Sequence, residues 1–128
     1  MPRALVAQSL AATYAQPERI TPEQVDRYHE LLLREGNRAA LRQFLAQPAD
    51  HDAVARLKVM SRPTLLMWGQ QDQQVPPAVG ERFARLMPNA RLLLLPHVGH
   101  QVPEEQPGLA LEALRTFMRQ PLGSTQHQ

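Results

Sequence analysis

The sequence predicts an α/β fold in which a helical N-terminal half is followed by a parallel β-α-β-α unit. Three observations carry this. Two short apolar runs, 64–68 (TLLMW) and 92–95 (LLLL), lack polar alternation, as expected of strands in a parallel sheet covered by helices on both faces. A helical segment with one apolar side separates them. Everything before residue 58 is punctuated by helix start and stop signals rather than strand signals.

In chain order, Leu5, Val6, Leu10 and Tyr14 recur at near-helical spacing, and that segment stops at Gln16-Pro17. The next start signal is the strongest in the chain. Thr21 suits an N-cap, Pro22 the first helical position, and Gln24 completes a capping box, with Ile20 and Val25 placed as a hydrophobic staple. Val25, Tyr28, Leu31 and Leu32 form the apolar stripe of that helix, and Gly36 fits a left-handed stop. Asn37 is expected to cap a helix carrying Leu41, Phe44 and Leu45, and Asp50 to cap a short one running through Leu57. His29 and His51 stand alone in this half and read as surface or interhelix residues. Tyr14 and Tyr28 read as packing on the faces of amphipathic helices.

Beyond the connection at 58–62, the helix between the strands spans 77–87, with Val79, Phe83, Leu86 and Met87 on one side. A last helix is expected over 107–118, with Leu109, Ala110, Ala113, Leu114, Phe117 and Met118 as one broad apolar face. Residues 120–128 are polar with Pro and Gly, and read as a flexible tail. The chain thus divides into a helical segment (1–57), an α/β segment (58–119) and the tail (120–128).

Composition excludes several function classes. No apolar run approaches the ~20 residues that span a bilayer, and the N-terminus lacks the continuous apolar stretch of a signal peptide. There is no cysteine, which removes disulfides, thiolate nucleophiles and Cys-based zinc sites, and fits a cytoplasmic location. His97 and His100, three apart in a loop, are too few donors for a zinc site, so no metal or organic cofactor is expected. Net charge is only +2, and the arginines are interleaved with Glu and Asp along helices rather than clustered. Aromatic residues are few, so neither a nucleic-acid partner nor a membrane is expected.

The chemistry-bearing residues sit in the loops that leave the two strands. Parallel neighbours present their carboxyl ends on one sheet edge, where ligands of open α/β sheets gather. Asp72 lies four residues beyond Trp68, and His100 five beyond Leu95. With strands about 4.8 Å apart, the loops can bring carboxylate to imidazole. Such a pair fixes the ring tautomer and stabilises the imidazolium formed when the other nitrogen takes a proton. Either residue alone would read as an ordinary turn residue; their matched placement favours a site.

The segments PTLLMWGQQDQQVPP and ARLLLLPHVGHQVPEEQP resemble the C-terminal part of the α/β-hydrolase superfamily. In that family the triad acid follows a strand in a W-G-x-x-D-x-x-x-P setting, here Trp68-Gly69-Gln70-Gln71-Asp72 with Pro76. The triad histidine follows the next strand in a G-H turn with a downstream E-x-P, here Gly99-His100 with Glu105-Gln106-Pro107. The resemblance implies an incomplete α/β-hydrolase fold, with Asp72 as orienting acid and His100 as general base. It also implies that residues 1–57 are cap-like, belonging to the helical insert before those strands. The family's nucleophile elbow, G-x-S-x-G or an Asp equivalent, has no counterpart: Ser9, Ser61 and Ser124 are not so flanked. The family's oxyanion loop is missing too.

The functional expectation is therefore the C-terminal segment of a hydrolase acting on an ester, lactone, C–C or related bond, inactive alone. Its partners would be a small-molecule substrate once an N-terminal half completes it, or a second copy through the exposed sheet edge. The alternative is a non-catalytic truncated remnant or a helical protein-interaction module. Two doubly apolar strands are too few for an independently stable sheet, so low stability or self-association is expected of the chain by itself.

Overall fold

Strands β1 (Thr64–Gly69) and β2 (Ala90–Leu95) pair in parallel in the computed structural model, which describes residues 2–48 and 50–119. The register runs from Thr64 opposite Ala90 to Gly69 opposite Leu95, so both strands end at the same edge. Each strand is slightly longer than its apolar run, because Gly69 and the segment from Ala90 to Arg91 join the ladder. The expected flexible tail at 120–128 lies outside the described residues.

Among the described residues four helices precede the strands: α1 (Arg3–Ala11), α2 (Pro22–Leu33), α3 (Asn37–Leu45) and α4 (Ala53–Lys58), with a 3-10 turn at Pro17–Arg19. The α2 start is as expected. Thr21 N–H donates to Gln24 Oε1 at 2.8 Å, and Gln24 N–H donates to Thr21 Oγ1 at 3.2 Å. Ile20 packs on the cluster formed by Leu10, Tyr14 and Val25, which joins α1 to α2. Gly36 takes φ 84°, the left-handed turn expected of it, but it also serves as the N-cap of α3. Asn37 therefore does not cap that helix; its side-chain amide donates back to Leu31 O at 2.6 Å. Asp50 likewise does not cap α4, which starts after Asp52. Its Oδ1 instead accepts Asp52 N–H at 3.1 Å, a local turn that competes with capping.

Helix α5 (Pro77–Leu86) connects the strands, and α7 (Pro107–Met118) closes the described chain. Between β2 and α7 lies a four-residue helix, α6 (Val102–Glu105), that periodicity did not suggest. One core cluster, Leu95, Val98, Val102 and Ala110, sits where β2, its loop, α6 and α7 meet.

Burial departs from expectation in the body of the sheet. The residues of β1 from Thr64 to Trp68 are half-buried rather than buried. On α7 only Ala110 is buried, while Leu109, Leu114 and Met118 are exposed. Each face carries one helix, α5 against Trp68 and Leu92 and α7 against Leu93 and Leu95. Among the described residues, however, the sheet has two strands and so an open edge on either side. An open groove lined by Leu65, Leu93, Leu95 and Leu109 runs along this flank.

Candidate active site

The two loops at the carboxyl edge of the sheet are stitched together before any side chain is considered. Gln70 N–H donates to Leu95 O and Gln71 N–H to Val98 O, both at 2.9 Å. Gly69 is required here, because a Cβ on it would lie 2.0 Å from Gly99 O and 2.3 Å from Val98 O. The first loop is also braced from behind. Trp68 Nε1–H donates to Val75 O at 2.9 Å, and its ring meets Phe83 of α5 edge-on. Gly80 of α5 sits against the indole, where a Cβ would come within 2.8 Å.

Asp72 is held by that loop. Its Oδ1 accepts the main-chain N–H groups of Gln74 and Val75, each at 2.9 Å. Its Oδ2 lies 2.9 Å from Nδ1 of His100. The carboxylate is 5% exposed, whereas the His100 side chain is 40% exposed. Burial alone pushes the Asp72 carboxyl up. The Val75 N–H, the His100 ring and the Gln74 N–H together outweigh burial and hold it below its ordinary range. An ionised carboxylate can only accept, so Nδ1 carries the proton and the Nε2 lone pair is left available to take one.

The structure thus brings together the two residues singled out in the sequence, and the W-G and G-H settings each supply part of the geometry. It leaves the other histidines out of that pair. His97, at φ 58°, is exposed in the loop before Val98. Ser61 precedes β1 at the amino edge of the sheet, with its carbonyl accepting from Asn89, so the length of the strand separates it from Asp72 and His100. Ser9 lies on the exposed side of α1. Among the described residues no group of three or more His, Cys, Asp or Glu is arranged to hold a metal ion, and no helix is long and apolar enough to cross a membrane.

Sequence reasoning missed how far the helical half enters this edge. His100 N–H donates to Thr13 O at 2.7 Å, and Gln74 Nε2 donates to Ala12 O at 3.3 Å. Tyr14 and Tyr28, read as packing residues, both donate their hydroxyls to Glu104, each at 2.7 Å. Burial, reinforced by Glu104, pushes Tyr14 far above the ordinary phenol range and Tyr28 up to about 12. Glu105 is buried and accepts main-chain N–H groups from Ala15, Gly99 and Gln101. The one available signal was the E-x-P that contains Glu105; its contact with Ala15 spans 90 residues of sequence and has no local signature.

Comparison with known proteins places the fold. A sequence profile of the alpha/beta hydrolase fold matches residues 3–107. An uncharacterized hydrolase of Bacillus subtilis (strain 168), YugF, is 34% identical over 100 residues, covering 78% of this chain and 37% of its own length. Among solved structures, a thermophilic esterase from Thermogutta terrifontis matches with a TM-score of 0.72 at 29% identity, over 91% of this chain and 44% of that one. A serine hydrolase involved in carbazole degradation matches with a TM-score of 0.76 at 21% identity, over 91% and 47%, a likeness of fold alone. The chain spans less than half the length of each of these proteins.

Proposed function

The chain belongs to the alpha/beta hydrolase fold family, and from that premise we propose that it is the C-terminal segment of a hydrolase, supplying the acid and base of a catalytic triad. The single observation that carries this is the 2.9 Å bond between Asp72 Oδ2 and His100 Nδ1 at the shared edge of two parallel strands. In this reading Asp72 fixes the tautomer, and His100 Nε2 takes the proton of a nucleophile as that nucleophile attacks an ester, lactone, C–C or related bond. His100 then returns the proton to the leaving group. Asp72 stays ionised throughout and stabilises the imidazolium. The nucleophile and the oxyanion donors come from polypeptide outside this sequence, and residues 1–57 form part of the cap over the site. The absence of cysteine supports a cytoplasmic setting.

The test is hydrolysis of a chromogenic short-chain ester, the bond class named for the Thermogutta relative. The purified chain is assayed alone and after co-folding with a hydrolase segment bearing a G-x-S-x-G strand–turn–helix. We expect turnover only in the mixture, reduced about 10³-fold or more by His100→Ala. Turnover insensitive to that substitution would remove His100 from the mechanism. No turnover in a well-folded mixture would favour a non-catalytic role.

The open edges of the two-stranded sheet and the exposed Leu109, Leu111, Leu114 and Met118 of α7 support one further expectation, self-association of the chain when unpartnered. Sedimentation across a concentration series should show species larger than a monomer. A monodisperse monomer with a sharp unfolding transition contradicts it.

A further inference from the structure

The residues on either side of His100 donate their main-chain N–H groups to one and the same carboxylate. Gly99 N–H lies 3.0 Å from both Glu105 oxygens, and Gln101 N–H lies 3.1 Å from Oε1. Ala15, just beyond α1, adds a third N–H at 2.8 Å from Oε2. We propose that Glu105 is a positioning residue for His100: its buried carboxylate clamps the peptide units flanking the histidine against segment 13–15 and so aims the imidazole at Asp72.

The asymmetry of the pair shows where a clamp is needed. Asp72 is buried and held by two N–H groups of its own loop, so it is the fixed partner. The His100 side chain is 40% exposed, so packing does not set its direction and its main chain must. That main chain is pressed against the helical half, since a Cβ on Gly99 would lie 2.6 Å from Thr13 O and 2.7 Å from Ala15 N. Productive acid–base geometry tolerates about 0.5 Å and 10–20° of error, which a loop held on one side only does not guarantee. A buried carboxylate is costly unless its lone pairs are filled. Here three aimed N–H groups fill them, and charge makes each bond stronger than a neutral one. A glutamine at 105 would have the same size but would turn an NH₂ group toward at least one of those donors, releasing one side of the clamp.

This inference rests on the Asp72–His100 pair described above, but its test reads the pair itself and needs no turnover. The His100 ring proton bonded to Asp72 should give a low-field proton NMR signal in the whole chain, assigned by its loss in Asp72→Asn. In Glu105→Gln we expect that signal to be lost, the paired geometry falling about tenfold in population as removal of one charge-assisted hydrogen bond would give. Glu104→Gln, which alters only the tyrosine contacts on the same short helix, should retain it. Persistence of the signal in folded Glu105→Gln, or equal loss in Glu104→Gln, overturns the proposal. If Glu105→Gln does not fold, the wild-type chain in a urea series decides: the signal should vanish together with amide protection at Gly99 and Gln101. A signal that outlives that protection overturns the proposal. A signal missing from the wild-type chain overturns both this proposal and the functional reading it rests on.

Discussion

The loop edge of the sheet and the α3–α4 region are built to opposite standards. At the edge, Val98 has no exposed surface, and Asp72 and Glu105 are buried yet fully partnered. Among the described residues no buried side-chain N or O lacks a hydrogen bond. Across α3 and α4 no residue is buried, and Phe44 and Leu45 are 68% and 72% exposed. The contrast teaches that order in this chain comes from polar contacts converging on one edge, not from a large apolar core. The helical half is tied to that edge through residues 12–15, Tyr28 and Glu104, while α3 and α4 extend from it with little tertiary support.

The difference can be broken most severely at Gly69. Gly69→Ala forces a Cβ into two carbonyl oxygens of the opposite loop, so a loss of about 3 kcal/mol or more is expected in urea denaturation, with separation of Asp72 from His100. Val98→Ala removes the most buried side chain of the same edge and should cost about 2 kcal/mol. The matching change on the other side, Phe44→Ser, should stay within about 0.5 kcal/mol despite the loss of a larger apolar group, because the ring is already in water. A cost for Phe44→Ser equal to that of Val98→Ala would show that the two regions do not differ as described. Thr21→Ala removes half of the capping box and should cost about 1 kcal/mol, read by loss of helical circular dichroism on heating.

Smaller effects follow from protonation. The folded-state pKa of Asp72 is depressed, so its contribution to stability is complete above the ordinary carboxyl range and is lost as pH falls through the depressed value. The wild-type chain should therefore lose stability below about pH 4 more steeply than Asp72→Asn. Tyr28 works in the opposite direction. Its folded pKa is raised to about 12 by burial and by Glu104, so its contribution is complete below the ordinary phenol range and is lost as pH rises toward that value. Tyr28→Phe should flatten the alkaline limb of the stability curve, and phenolate absorbance should show one late-titrating group fewer.

What could be read from the sequence was what local chemistry dictates. The capping box at Thr21, the left-handed turn at Gly36 and the two apolar runs each depend on neighbours within a few residues, and all three appear in the structure. The Asp72–His100 pairing was legible as well, because parallel strands carry their loops to one edge whatever covers the sheet. Asn37 and Asp50 were misread, since a side chain that can cap can equally well bond a nearby carbonyl or amide, and only the three-dimensional path chooses. Tertiary structure alone decided how the helical half meets the site. Glu104 receives hydroxyls from Tyr14 and Tyr28, and Glu105 gathers N–H groups from Ala15, Gly99 and Gln101. The half-burial of β1 was also beyond the sequence. An apolar run states that a strand is suited to burial on both faces; whether anything lies on those faces depends on the elements packed around it.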